Sequence, residues 1–258
     1  MIILLPPSET KAYGTNVQKL NLAKMSFGNL TQNRNRIAEQ LVGLSKNPKK
    51  ACTVLGISQK QIAEVESNSQ LFSAKTSPAI EIYSGVLFDA LDYQSLSKAA
   101  KQRANEILLI TSGLFGLLTP SDLIPHYRLS GDVVLPKIGG IAKTWAGPID
   151  AALSSKNPDF IVDMRSGTYA KFWQPSGDLI EKTAVIKIMT RVGKGNTAKK
   201  IAISHNNKYA KGLIARDLAS LRTCTKNSQQ LLTKLKSLDW DCELIITNGK
   251  PDILEVFV

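Results

Sequence analysis

Histidine is nearly missing from this chain and cysteine is scarce, with two of one and three of the other in 258 residues. His126 and His205 stand far apart, and Cys52, Cys224 and Cys242 form no CxxC pair and no Cys/His cluster. Such spacings exclude the common zinc frameworks, and an odd, scattered set of cysteines excludes a disulfide framework. Neither a metal nor a cofactor is expected, and the thiols are expected to be reduced and buried. No apolar run approaches the ~20 residues that cross a bilayer. The opening MIILLPP is too short for a signal-peptide core and no basic residue precedes it. Its expected place is a first strand, in a chain that stays in the cytoplasm and has no membrane partner. Internal repeats, low-complexity stretches and linkers are missing too, so one domain over residues 1–258 and a monomer are expected.

Acidic residues are sparse in one region. The net charge is +12, and between Lys182 and Lys226 stand eleven basic residues (182, 187, 191, 194, 199, 200, 208, 211, 216, 222 and 226) against Asp217 alone. That segment carries +10 and the rest of the chain +2. Concentrated positive charge is a footprint for polyanions, most often nucleic acid, although a solvated lysine-rich surface has the same composition. The clustering favours binding.

The chain is 43% hydrophobic, enough for a sizeable core. Its most informative stretch runs from Ile107 to Arg128. Ile107–Ile110 reads as a buried strand ended by Thr111-Ser112-Gly113. Gly113 and Gly116 bracket two apolar residues. Thr119, Pro120 and Asp122 then read as the N-cap, first position and first-turn acid of a short helix that Pro125 stops. A strand end, a double-glycine turn and a helix N-terminus would concentrate backbone N–H groups around Ser112, Gly113 and Gly116, with Tyr127 and Arg128 close behind. Phosphate suits such a place. A tight turn between core elements is the commoner use of such glycines.

Two further strands end in polar groups. Ile2–Leu5 is followed by Ser8-Glu9-Thr10-Lys11, where the hydroxyls and Lys11 could bind phosphate and Glu9 is the one candidate acid or base; the hydroxyls could equally satisfy the loop's own backbone. Asp159–Met164 leads into Arg165, Ser166 and Tyr169. Arg165 is a fork suited to phosphate, or an ion-pair partner of Asp163 or Glu9. Later come strands over Ala184–Thr190 and Lys200–Ser204, with Gly193-Lys194-Gly195-Asn196 as a flexible basic turn. Asn206 reads as the cap of a helix to about Arg222, with Lys208, Lys211, Ala215 and Arg222 along one face. Lysines in the first turns of a helix are unfavourable unless an anion neutralises them, or unless Asp217 or another acid pairs with them. Tyr83 and Trp145 are either stacking platforms or core residues. Helices over Arg34–Leu44, from Ser58 with its Gln61 capping box, Leu96–Asn105, Ile141–Leu153 and Gln229–Leu238, and strands over Glu243–Thr247 and Ile253–Val258, complete an α/β or mixed α+β chain with a central mixed sheet.

The stretch SGLFGLLTPSDLIPHYRL also resembles the signature of the YaaA family of bacterial peroxide stress proteins. MIILLPPSETK, AIEIYSGVLFDALD, KTWAGPIDAAL, FIVDMRSGTYAKFW and ISHNNKYAKGLIARDLA are similar to further blocks of that family, in the same order along almost the whole chain. The resemblance implies a compact fold with a positively charged cleft and a helix-hairpin-helix-like element. Residues 113–116 and the helix start at Thr119 are its candidate positions, although two residues, not one, separate the glycines. It also implies non-sequence-specific binding of double-stranded DNA and a part in limiting iron-dependent oxidation of DNA. The residues alone leave two other functions open. One is an enzyme acting on a nucleotide or nucleic acid, with glycosidic-bond chemistry in a pocket where three strand ends meet. The other is a binding protein that uses the pocket without turnover. A buried Glu9 facing a pocket would favour the enzyme, and a long basic groove the DNA-binding protein.

Overall fold

The computed structural model describes residues 1–165, 167–193, 199–202 and 207–258. Ser166, most of the turn at 193–196, the end of the strand expected to reach Ser204, and the Asn206 cap lie outside the described residues.

The first strand, β1 (Ile2–Leu5), is buried along its whole length and stops at Pro6-Pro7, which have no N–H for a ladder. Helices α1 (Thr31–Ser45), α2 (Pro48–Leu55) and α3 (Ile62–Ser69) follow. Pro48 opens a helix of its own, at the first position after the Asn47 cap. Ser58 and Gln61 form the expected capping box before α3. Next come β2 (Thr76–Pro78), α4 (Ala79–Ile82), α5 (Val86–Leu91) and α6 (Lys98–Ile107). Then β3 (Leu108–Ser112), β4 (Gly116–Leu118), β5 (Leu123–Pro125), β6 (Val134–Leu135) and β7 (Gly139–Gly140) lead to α7 (Ile141–Lys156). The rest comprises β8 (Ile161–Asp163), β9 (Thr183–Val192), β10 (Lys199–Ala202), α8 (Asn207–Ser220), α9 (Ser228–Lys236), β11 (Asp241–Ile245) and β12 (Asp252–Phe257).

The main sheet has the order β11-β12-β9-β8-β1-β3-β4. From β12 to β3 the neighbours are parallel, while β11 and β4 pair antiparallel at the two edges. The far half of β9 runs past β8 and pairs antiparallel with β10. This is the expected mixed central sheet flanked by helices. Its central consequence is that β8, β1 and β3 are adjacent and parallel, with Leu4 opposite both Asp163 and Leu109. Their C-terminal ends therefore open side by side, the usual position of a ligand site in an open α/β sheet.

Residues 113–128 correct the sequence reading. Gly113-Leu114-Phe115-Gly116 is the closed turn of a hairpin between β3 and β4, and no helix starts at Thr119. Asp122 accepts from the Thr119 N–H and, at its other oxygen, from the Ser26 N–H, both at 2.8 Å, so residues 119–122 form a side-chain-locked turn. The chain then enters β5, which pairs with β2. Thr, Pro and Asp serve helix caps and turns through the same side-chain-to-backbone bonds, and here strand pairing decides between them. The helix-hairpin-helix-like element is accordingly absent from these residues. Arg34, buried on α1, closes the hairpin by donating to the Phe115 and Leu117 carbonyls at 2.9 and 2.8 Å.

Trp145 and Tyr83 are core residues. The Trp145 indole N–H donates to the Gly113 carbonyl at 2.9 Å. Cys52 and Cys242 are buried, but Cys224 is exposed, in the connection between α8 and α9. Gly212 lets α8 cross α5 closely, since a Cβ there would lie 2.2 Å from the Leu87 carbonyl oxygen. That crossing brings the start of α8 over the loop after β1.

Candidate functional site

The loop after β1 folds back on itself. The Ser8 hydroxyl accepts from the Thr10 N–H at 3.3 Å, and the Lys11 amine donates to the carbonyls of Ser8 and Glu9 at 2.9 and 3.3 Å. Lys11 is only 8% exposed. Its amine stands over the rings of Tyr127 and Tyr83, 4.6 and 5.5 Å from their centroids. Burial pushes the amine down to about 8; Glu9 pulls it back and Arg128 adds to the depression.

Below Lys11 runs a buried chain of hydroxyls. Tyr83 and Tyr127 share a hydrogen bond of 2.7 Å, Tyr127 and Ser112 one of 2.8 Å, and the Phe115 N–H donates to Ser112 Oγ at 3.0 Å. Burial pushes the Tyr83 phenol up to about 12 and raises Tyr127 well above the ordinary tyrosine value. Both phenols therefore stay neutral. Being buried, Ser112 and Tyr127 support Lys11 from beneath and are not open to a phosphate.

Glu9 is half-exposed at the mouth. Its carboxylate pairs with Arg128 at 2.9 Å and accepts from the Tyr169 hydroxyl at 3.4 Å. Tyr169 sits on a 3-10 turn, Gly167–Phe172, and its phenol is raised by burial and by Glu9. Asn68 on α3 fixes the backbone of Arg128 from both sides, accepting from its N–H and donating to its carbonyl, each at 2.8 Å. Glu9, Thr10, Gly85, Val86 and the exposed Lys208 line a cleft of about 190 Å³. Ser8, Glu9, Lys11, Arg128, Tyr169 and Lys208 are thus brought together from strand ends and from α8.

Other expected site residues are not open to a ligand. Arg165 is 3% exposed and grips Asp163 through Nε and Nη2 at 2.9 and 2.7 Å. It also donates to the carbonyls of Tyr169 and Trp173, which engages four of its five N–H groups. The ion-pair alternative holds, and the phosphate fork does not. Gly113 packs against the Leu129 carbonyl, and Gly116 against the Trp145 ring, where a Cβ would come within 2.6 and 2.8 Å. Both glycines are buried, so this turn is not open to a ligand. Lys211 is 2% exposed, so it does not share one face with the exposed Lys208 and Arg222 as the sequence suggested. Burial pushes its amine down to about 8, and the Asp163 charge opposes the shift.

The basic segment is also more balanced than its composition. Arg191 pairs with Asp241 and Glu243, Lys200 with Glu243 and Glu255, and Arg216 with Asp92. Those acids stand on β11, β12 and the end of α5, far away in sequence. Lys187, Lys199, Lys208, Arg222 and Lys226 are exposed and join none of these pairs among the described residues. Sequence reasoning missed Asn68 and the pairing of Tyr13 with His126, because neither carries a periodic or spacing signal.

Comparison with known proteins finds matches along most of the chain. The family described as peroxide stress protein YaaA matches residues 1–242. A UPF0246 protein of Streptomyces coelicolor is 37% identical over 100% of this chain and 98% of its own length. Another, of Corynebacterium efficiens, is 42% identical over 85% of each chain, and an uncharacterized protein of Campylobacter jejuni is 27% identical over 92% and 91%. The chain belongs to the peroxide stress protein YaaA family.

Proposed function

We propose that this chain serves the peroxide stress response as a cytoplasmic, monomeric DNA-binding protein. It would hold double-stranded DNA by its phosphates, without reading sequence, and so help limit iron-dependent oxidative damage. The observation that best supports this is the cleft where Lys208 faces the Ser8–Lys11 loop beyond three parallel strand ends. Exposed Lys187, Lys199, Arg222 and Lys226, which join no ion pair among the described residues, supply further charge. Fluorescence anisotropy with duplexes of unrelated sequence tests it. If about four phosphates are neutralised, log K falls against log salt with a slope of roughly −3.6, the same for each sequence. Absent binding at low salt, or a flat salt response, overturns the reading.

One observation favours a second reading, an enzyme acting on a nucleotide or nucleic acid. Arg128 and Tyr169 hold the Glu9 carboxylate in a fixed position on the wall of the same cleft. A carboxylate held this way can take a proton from water during cleavage of a glycosidic bond. Chromatography of nucleosides and oligonucleotides incubated with wild type and with Glu9→Gln tests it. Free base released only by the wild type supports catalysis, and no release by either protein removes it.

A further inference from the structure

The loop that carries Lys11 continues into a feature that the strand-end cleft does not use. The ring of Tyr13 lies parallel over that of His126, with centroids 4.3 Å apart and planes within 15°. His126 is fixed beneath it, with Nε2 2.9 Å from Glu64 and Nδ1 3.3 Å from the Ala12 carbonyl. The backbone on both sides is tied as well. The Ala12 N–H donates to Ile82 at 2.7 Å and the Asn16 N–H to Thr76 at 2.9 Å. Between them Gly14 presses on Lys75, whose carbonyl oxygen would lie 2.2 Å from a Cβ at that position. Even so, Tyr13 is 63% exposed.

A single exposed aromatic residue is ordinary. Here one face of the ring is packed on His126, and Tyr13 lines a groove of about 240 Å³ with Gln70, Lys75 and His126. That is less than the ~300–1,000 Å³ that encloses a whole drug-sized ligand, so the groove suits one planar ring. Gln70 offers an amide that both donates and accepts, and Lys75 an exposed cation. The groove opens two residues beyond Lys11, on the loop that follows β1 and carries Ser8 and Thr10.

We propose that Tyr13 is a stacking platform for one unpaired base of single-stranded nucleic acid, whose phosphates follow Lys75 and the loop at residues 8–11. The inference rests on the nucleic-acid reading and extends it to unpaired strands. Stacking on an aromatic ring accepts every base, because each has a π-face.

The test measures anisotropy of the full chain with three fluorescent probes: single-stranded oligothymidylate of about 15 nucleotides, an abasic strand of the same length, and a duplex. The abasic strand keeps the phosphates and removes the bases. Wild type is expected to bind oligothymidylate on the order of 5- to 150-fold tighter than the abasic strand. Tyr13→Ala should erase that difference and leave duplex affinity unchanged, whereas Tyr13→Phe, which keeps the ring, should retain it. Equal affinity of wild type for the thymidylate and abasic strands overturns the platform, as does a Tyr13→Ala protein that still tells them apart. Duplex binding that persists in either case leaves the proposed function standing, while failure to bind any of the three probes overturns both.

Discussion

The guanidinium of Arg165 clamps the carboxylate of Asp163, two residues earlier, through two hydrogen bonds of 2.9 and 2.7 Å at the buried end of β8. Removing one member of such a pair leaves an uncompensated charge in the interior, at a cost of about 3–5 kcal/mol. Arg165→Ala is therefore expected to destabilise the protein by about that amount in urea unfolding. Its DNA salt slope should match that of the wild type. A stable variant with a reduced slope would return Arg165 to the ligand.

Lys208 and Lys211 share one helix and are expected to behave in opposite ways. Lys208 is exposed on the wall of the cleft and Lys211 is buried. Lys208→Ala should lower the salt slope by roughly one phosphate's worth, about 0.9, with stability within about 0.5 kcal/mol of wild type. Lys211→Met should leave the slope alone. Salt titration of both variants beside their unfolding curves checks the pair.

Stability should rise with pH on the alkaline side. Lys11 and Lys211 are held near 8 in the folded chain, below the ordinary lysine value of 10.5. Between about pH 8 and 10.5 the unfolded chain therefore binds more protons than the folded one, and unfolding free energy climbs with pH. Below pH 8 both states are protonated and the full penalty for the buried charge remains. Each group contributes at most ~1.4 kcal/mol per pH unit inside that window. Denaturant midpoints measured from pH 7 to 10 should rise more steeply for wild type than for Lys211→Met. Parallel curves would show that Lys211 titrates normally.

Gly116 has φ +74°, and a Cβ there would meet the Trp145 ring at 2.8 Å. Gly116→Ala is expected to cost about 1–3 kcal/mol from backbone strain alone, with the clash in addition. Gly139 has φ +93° with open space around its Cβ position, so Gly139→Ala should show the strain without the clash. Comparing their thermal midpoints separates the two terms.

Much of this was legible in the chain itself. Apolar runs such as Ile2–Leu5 and Leu108–Ile110 mark the central strands, because a strand buried on both faces needs an unbroken apolar run. The Ser58–Gln61 box was visible because capping is local, made by side chains three residues apart. The polar residues after β1 and β8 were legible as strand ends, and six ordered blocks pointed to the family. Only the tertiary structure decided the rest. Whether Thr119-Pro120-Ser121-Asp122 starts a helix or a turn depends on Ser26 and on β2, which lie more than 40 residues away in sequence. Whether Arg165 and Lys211 meet a ligand or the core depends on which face the packing buries. Two cations of the +10 segment, Arg191 and Lys200, pair with acids on β11 and β12, which composition counts as distant and the sheet makes neighbours. Short-range bonds and apolar runs are written in sequence order; charge pairing and burial follow spatial neighbours, which only the fold assigns.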